Sequence, residues 1–223
     1  MKDIKPIHHN FLASRKYGNN RMIVYSPKLK RKVVLFSDLE YYCYLFLEFD
    51  TNVVDFCEQP DIGIKHLYDG KIHSSVADFL VEYKKDTLQI VECKPSSELN
   101  NTKVIKQLQI QKEWAIANKI SHRIFTEKEV LKKQCSLSNL KRLHTALLQV
   151  ENLIEPNTCL INSILKVVSE HSVMTINQIL SYKMDGISNR NILSMLSYLF
   201  HQGKLEIDIH NSLLNQESVV KML

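Results

Sequence analysis

The sequence predicts an α/β fold in which a mixed β-sheet is flanked by helices, followed by a smaller helical domain. Two observations indicate this. Residues 1–150 read as a helix, several strand-like runs, a second helix, a further strand and a third helix, an order typical of a mixed sheet. Residues 151–223 instead contain three helix-like segments with short connections. A chain of 223 residues can bury one substantial core and one small one, so we expect domains at 1–150 and 151–223.

Turn and capping signals predict the first strands and the first helix of the chain. Residues 1–34 are expected to form an arm with short strands, of which "KRKVVLF" is the best candidate. In "SDLEYYCYLFLEFD", Glu40 follows Ser37 at the spacing of a capping box and precedes apolar residues on nearly every side, which predicts a buried helix. "NVVDFCEQP" is predicted to be extended up to Pro60, and two strand-like runs flank the turn Tyr68-Asp69-Gly70.

The later elements follow apolar periodicity. "NTKVIKQLQIQKEWAIANK" predicts a long amphipathic helix, "HRIFTE" a short strand and "SNLKRLHTALLQV" another helix. A domain boundary is expected near Pro156. Beyond it, three helices precede Gly203 and the alternating run "KLEIDIH", which indicates a winged-helix-like domain; the alternative is a generic small helical domain.

Composition excludes two classes of protein. No apolar run approaches the roughly 18 residues that a membrane span requires, and the N-terminus has no secretory apolar core, so we expect a cytoplasmic protein. The five cysteines lie far apart and form no C-x-x-C pair, which argues against disulfides and a thiolate zinc site. Cys93 lies between Glu92 and Lys94, but strand alternation turns it to the opposite face, which argues against a nucleophile.

Basic charge is concentrated in the front domain. Residues 1–34 carry nine Lys or Arg side chains against one acid, whereas residues 151–223 are slightly acidic. Lysine and arginine neutralise phosphates, so a DNA-facing surface is predicted, and the alternative is a solvated basic surface. The residues predicted to contact DNA are Lys28, Lys30, Arg31 and Lys32.

The stretch "VADFLVEYKKDTLQIVECK" is predicted to be a hairpin with a candidate active site at its open end, the end away from the turn. Directly opposite residues of an antiparallel pair share a face. A three-residue loop at 84–86 places Asp78 opposite Glu92, whereas a four-residue loop places them on opposite faces. Asp78, Glu92 and Lys94 cluster at one end of a mostly apolar pair, where burying charge is expensive unless it is paired or bound to metal.

The chemistry of these groups suits phosphodiester hydrolysis. Two neighbouring carboxylates raise each other's pKa unless a cation lies between them, and their oxygens suit Mg²⁺ or Mn²⁺. Lys94 can orient or deprotonate a water, or stabilise the charged phosphoryl group. The alternative is a buried ion pair. A further acid is expected from Glu40, which can also merely cap its helix; Glu58 and Glu98 compete for the role.

In their order along the chain, "SDLEYYCYLFLEFD", "VVDFCEQP", "VADFLV", "IVECK" and "FTE" resemble the catalytic domain of the TnsA family, the endonuclease subunits of heteromeric transposases. The resemblance covers most of residues 1–150 and implies a restriction-endonuclease-like fold. It implies a catalytic set of Glu40, Asp78, Glu92 and Lys94, and Mg²⁺, replaceable by Mn²⁺, in two sites. Asp78, Glu92, Glu40 and the Cys93 carbonyl are the implied ligands. Ala77 stands where the wider motif often has proline, and the family admits glutamine at position 92.

The resemblance implies a metal-dependent endonuclease that cuts the 5′ (non-transferred strand) ends of a transposon. It implies transposon-end DNA, a DDE transposase subunit (TnsB-like) and an AAA+ regulator (TnsC-like) as partners, the last contacting the C-terminal domain. The protein is then expected in the bacterial cytoplasm, at the nucleoid when assembled. Two alternatives are a non-catalytic DNA-binding and assembly subunit, and a stand-alone restriction-like or junction nuclease.

Overall fold

The computed structural model describes residues 4–7, 20–150, 158–182 and 189–223. The chain divides into two compact units, residues 1–47 with 52–132, and residues 48–51 with 133–223. The expected boundary lay later, after residue 150, so the helix at Gln134–Leu147 joins the second unit. This helix is tied to the second unit by the Asn139 side chain, which donates hydrogen bonds to the carbonyls of Ile209 and Ser212 and accepts one from the N–H of Leu214. The predicted linker around Pro156 and most of the predicted arm lie outside the described residues.

Except for the helix at Gln134–Leu147, the described part of the first unit contains the α/β elements that the sequence predicts for residues 1–150, together with a 3₁₀ turn at Ser96–Glu98 and one short additional α-helix, α3. Its strands are β1 (Met22–Ser26), β2 (Arg31–Leu35), β3 (Val53–Glu58), β4 (Lys65–Tyr68), β5 (Lys71–Ser74), β6 (Phe79–Tyr83), β7 (Thr87–Cys93) and β8 (Ser121–Phe125). Its helices are α1 (Asp38–Phe49), whose last two residues are grouped with the second unit, α2 (Thr102–Ala117) and α3 (Glu127–Lys132).

A four-stranded mixed sheet organises this unit. The strand order is β3-β6-β7-β8, with antiparallel pairing from β3 to β7 and parallel pairing of β7 with β8. The parallel pair requires a crossover, and α2 supplies it. The predicted mixed sheet flanked by helices is confirmed, and it is consistent with a restriction-endonuclease-like fold.

The register of the β6–β7 hairpin is that of a three-residue loop, one of the two loop lengths that the sequence left open. Tyr83 pairs with Thr87, and Phe79 pairs with Val91 at the other end. The intervening turn places Lys85 and Asp86 at positive φ. One step beyond the last pair, the same register brings Asp78 opposite Glu92, so the loop length sets the face on which both carboxylates lie.

Both faces of the hairpin are covered, as its apolar pattern predicts. On one face Leu80 and Ile90 are buried in a cluster that includes Ile110 of α2. On the other face Phe79 is fully buried and meets Phe56 edge to face, with the ring centroids 6.3 Å apart. A charge on either face at this depth therefore lies beside apolar surface.

The second unit combines helices with a small sheet. Its helices are α4 (Gln134–Leu147), α5 (Thr158–His171), α6 (Ile176–Ser181) and α7 (Asn189–His201), and its strands are β9 (Val173–Thr175), β10 (Leu205–Ile207) and β11 (Val219–Met222). The strand order is β10-β11-β9. The winged-helix assignment stays a prediction. Between residues 191 and 201, α7 has no exposed side chain, which is unlike a helix that lies in a DNA groove.

Two predictions from composition can be compared with the structure. Among the described residues, no helix has both the length and the apolar character that crossing a membrane demands. All five cysteines are free, as their spacing predicts.

Candidate active site

The open end of the β6–β7 hairpin brings together Asp78, Glu92 and Lys94. One oxygen of Asp78, Oδ2, accepts a hydrogen bond from the backbone N–H of Cys93 at 2.7 Å. Lys94 lies directly after β7, where its backbone N–H donates a hydrogen bond to the carbonyl of Phe125 in β8 at 3.0 Å. Its ammonium pairs with Glu92, with Nζ 2.8 Å from Oε1. The predicted acid-x-Lys arrangement is therefore held by three neighbouring backbone segments.

Glu92 is the most enclosed carboxylate of the group, with only 1% of its surface exposed. Besides Lys94, it accepts hydrogen bonds from two side chains of α2. Gln107 donates to Oε1 at 2.7 Å and Gln111 donates to Oε2 at 2.8 Å. Such charge-assisted bonds stabilise a carboxylate that is buried away from water.

Asp78 is the group whose pKa the site perturbs most clearly. Burial raises the pKa of Asp78 well above its ordinary value, and the nearby carboxylates of Glu92 and Glu40 raise it further. The N–H of Cys93 and the ammonium of Lys94 act in the opposite sense without cancelling the increase. Asp78 therefore lies in an excess of negative charge, which a bound cation relieves.

Glu40 has a place both in its helix cap and in the acidic cluster. Its Oε1 accepts from the Ser37 hydroxyl at 3.0 Å, and its Oε2 accepts from the Phe36 N–H at 3.0 Å and from the Gln59 amide at 3.1 Å. Burial raises the pKa of Glu40, and the carboxylate of Glu92 adds to the increase. The capping interpretation is thus confirmed, while a role for Glu40 in catalysis stays a prediction.

The "EQP" element connects Glu40 to the hairpin. Gln59 has a positive φ of 34°, and its backbone N–H donates to the Asp78 carbonyl at 2.9 Å while its amide reaches Glu40. Glu58 points elsewhere, forming two hydrogen bonds with the guanidinium of Arg31 at 2.7 and 2.6 Å. Of the competing acids, Glu58 is therefore committed to an ion pair.

Lys94 is held as a cation. Burial by itself lowers the pKa of Lys94, but Glu92, together with Asp78 and Glu98, raises it above its ordinary value. The side chain keeps 21% of its surface exposed, so it can reach a molecule at the mouth of the site. Its ammonium is suited to stabilising negative charge on a bound phosphoryl group.

The donor set fits a hard divalent cation such as Mg²⁺ or Mn²⁺. Asp78 and Glu92 offer carboxylate oxygens in a partly enclosed, net-negative site. Within the described ranges, no three His, Cys, Asp or Glu side chains are arranged to hold a metal ion together. The candidate site is thus a pair of carboxylates, and the Cys93 carbonyl, Glu40 and a second ion remain predictions.

Cys93 has the features of a structural residue. Its thiol is buried, and burial together with the hydrogen-bonded thiol of Cys43 raises the pKa of Cys93 well above its ordinary value. Since the thiolate is the nucleophile, a thiol held protonated in this way is unreactive.

Two of the four basic residues predicted to contact DNA have intramolecular partners. Lys28 donates to the carbonyls of Leu47 and Val53 at 2.9 and 3.0 Å, and Arg31 is paired with Glu58. Lys30 and Lys32 are exposed. The DNA-binding prediction therefore depends mainly on Lys30 and Lys32.

Sequence reasoning missed four residues around the carboxylates: Gln59, Gln107, Gln111 and His122. The last of these lies 3.2 Å from Gln111, measured from Nε2 to Oε1. One signal was present, since Gln111 occupies the predicted apolar face of α2, where a polar side chain needs a buried partner.

Part of the chain is similar to known proteins. Residues 50–127 match a family model described as the TnsA-like endonuclease N-terminal domain. The chain is also 30% identical over 122 residues to the Tn7 transposition protein TnsA of Escherichia coli, an alignment that covers 48% of this chain and 45% of that protein. The alignment thus spans about half the length of this relative. The family match includes Asp78, Glu92 and Lys94, whereas Glu40 precedes it.

Proposed function

We propose that this protein is the metal-dependent DNA endonuclease subunit of a transposase, because residues 50–127 match a family model of TnsA-like endonuclease N-terminal domains. The proposed reaction is hydrolysis of the non-transferred strand at the 5′ ends of a transposon. One observation carries the proposal, the convergence of Asp78, Glu92 and Lys94 at the open end of the hairpin in an excess of negative charge.

The residues have separate roles in the proposed reaction. Asp78 and Glu92 would hold Mg²⁺, which would supply the positive charge that polarises the phosphoryl group and lowers the pKa of water. Lys94, a cation at the mouth of the site, orients the attacking water and stabilises charge on the phosphoryl oxygens. A bond forms between the water oxygen and phosphorus, the bond from phosphorus to the leaving oxygen breaks, one proton of the water passes to solvent, and the leaving oxygen takes up one proton from solvent. Glu40 supports this site through Gln59.

The proposed partners are transposon-end DNA, a TnsB-like DDE transposase subunit and a TnsC-like AAA+ regulator. Exposed Lys30 and Lys32 support contact with DNA. For the second unit, the slight acidity of residues 151–223 and the lack of a fully exposed side chain between residues 191 and 201 of α7 favour a protein partner over DNA, so we assign the regulator to this unit.

The test is strand-specific cleavage at labelled transposon ends by the full chain with its transposase partners and Mg²⁺. Asp78→Asn should reduce cutting of the non-transferred strand at least about 10²–10³-fold, the usual scale for losing a key electrostatic group. Asp86→Asn is the matched control, since Asp86 is an exposed acid in the turn of the same hairpin. Unchanged cutting by Asp78→Asn contradicts the proposal, and efficient cutting of generic DNA by the isolated chain favours a stand-alone nuclease instead.

A further inference from the structure

The Glu92 carboxylate is enclosed by donors on both of its oxygens. Oε1 accepts from Gln107 at 2.7 Å and lies 2.8 Å from the Lys94 ammonium, and Oε2 accepts from Gln111 at 2.8 Å. Gln107 and Gln111 are four residues apart on α2, so both project from one face of the helix. A glutamate side chain has several rotatable bonds, and these donors restrict it to one conformation.

Gln111 is itself fixed from the opposite side. It is fully buried, and its amide nitrogen donates to Glu92, to the Ser75 hydroxyl at 3.1 Å and to the Val76 carbonyl at 3.3 Å. Its carbonyl oxygen lies 3.2 Å from Nε2 of His122. A carboxylate accepts only from the amide N–H₂ end, so the Gln111 oxygen must face His122 and Nε2 of His122 must carry the hydrogen.

The sheet places His122 where this contact requires it. In the parallel pairing of β7 with β8, His122 lies opposite Ile90. Ile90 and Glu92 are two residues apart on β7, so both face α2, and His122 shares that face. The chain of contacts from His122 to Gln111 to Glu92 therefore follows from strand register and helix spacing.

We propose that Gln107, Gln111 and His122 are positioning residues that hold the Glu92 carboxylate ready to bind a divalent cation. This inference rests on the proposed function, because it assumes that Glu92 is a metal ligand. Without these donors, the Glu92 side chain is free to adopt other rotamers, in which its carboxylate points away from the site. Groups that orient metal ligands in this way typically change metal affinity 10–100-fold when removed.

The experiment measures Mn²⁺ binding to the full chain without DNA, by calorimetric titration. Gln111→Met keeps the side-chain volume and removes the amide, and Gln107→Met does the same at a less buried position, which guards against a folding defect in the first variant. Each substitution should raise the dissociation constant for Mn²⁺ about tenfold or more. Gln109→Met is the matched control, because Gln109 is exposed on the same helix between the two positions, and its affinity should equal that of the unsubstituted chain.

His122 gives the sharper test because it does not touch Glu92. His122→Leu should also weaken Mn²⁺ binding about tenfold, whereas His122→Gln, which returns an N–H donor to the Gln111 oxygen, should restore the affinity to within about twofold. If His122 only filled space in the core, the N–H donor of His122→Gln would not restore Mn²⁺ affinity. In cleavage assays at saturating Mn²⁺, His122→Leu should recover most of its activity.

The outcomes separate this inference from the proposed function. If the unsubstituted chain binds Mn²⁺ and neither glutamine substitution weakens binding, the positioning role is wrong and the endonuclease proposal stands. Equal affinities for His122→Leu and His122→Gln overturn the role of His122. If the unsubstituted chain binds no Mn²⁺ at the Asp78–Glu92 site, both the metal-dependent function and the positioning role fail.

Discussion

Two buried acid sites in the first unit have opposite charge balance. At one, Glu58 of β3 forms two hydrogen bonds with the guanidinium of Arg31 on β2, so one carboxylate meets one cation. At the other, the carboxylates of Asp78, Glu92 and Glu40 share the ammonium of Lys94. The two sites use the same kinds of residue but leave very different net charges.

The comparison separates an acid that stabilises the fold, Glu58, from acids whose shared burial lowers the stability of the fold. A carboxylate matched by a guanidinium is satisfied within the protein and needs no further ligand. A group of three carboxylates with one ammonium keeps an excess of negative charge, and burial, together with repulsion from Glu92 and Glu40, raises the pKa of Asp78. Such uncompensated charge in a fold is characteristic of a functional site.

The largest expected difference in stability comes from breaking the balanced pair. Glu58→Ala leaves Arg31 partly buried without its carboxylate, so the free energy of unfolding should fall by about 3 kcal/mol, the lower end of the range for such losses, because Arg31 remains about one-third exposed. Denaturant titration measures this change. Cleavage per folded molecule should be retained, since Glu58 lies outside the proposed machinery.

The double variant Arg31→Met with Glu58→Met is the control for this prediction. Replacing both charges with apolar side chains avoids an isolated buried charge, so it should recover much of the lost stability. If the Glu58→Ala protein is as stable as the unsubstituted chain, the structural role assigned to this pair is wrong.

A smaller change in the free energy of unfolding is expected when a cation binds at the site of Asp78, Glu92 and Glu40. With Mg²⁺ at several times its dissociation constant, binding to the folded state alone should stabilise the protein by about 1 kcal/mol. Thermal unfolding with and without Mg²⁺ measures it. Asp78→Asn should abolish this increment and Glu58→Ala should keep it, whereas equal increments in both variants mean that Mg²⁺ binds elsewhere.

The sequence predicted the arrangement of the strands better than the surroundings of the site. The three-residue loop and residue parity suffice to place Asp78 opposite Glu92, because a strand has a period of two. The cap formed by Ser37, whose hydroxyl accepts from the Glu40 N–H and donates to the Glu40 carboxylate, is likewise predicted by a local signal. The assignment of the catalytic acids remains a prediction that depends on the family resemblance.

The missed residues depend on contacts that are distant along the chain. The bond between Gln111 and Glu92 joins a helix to a strand across a crossover, and the contact with His122 requires the parallel register of β8, which no local pattern specifies. Arg31 was predicted to contact DNA because its neighbours are basic, yet Glu58, 27 residues later, pairs with it. Charge along a sequence does not show which cations already have partners.

The smallest of the three stability effects concerns pH and has a definite sign. The folded-state pKa of Asp78 lies above its unfolded value, so its contribution to stability is fully present below the unfolded value and is lost as pH rises through the folded one. Metal-free Asp78→Asn, which still accepts from the Cys93 N–H and carries no charge, should therefore be more stable than the unsubstituted chain at neutral pH. The advantage should shrink toward acid pH and with added Mg²⁺. Denaturant titrations across this range measure it, and an advantage that grows on acidification contradicts the repulsion inferred for the cluster.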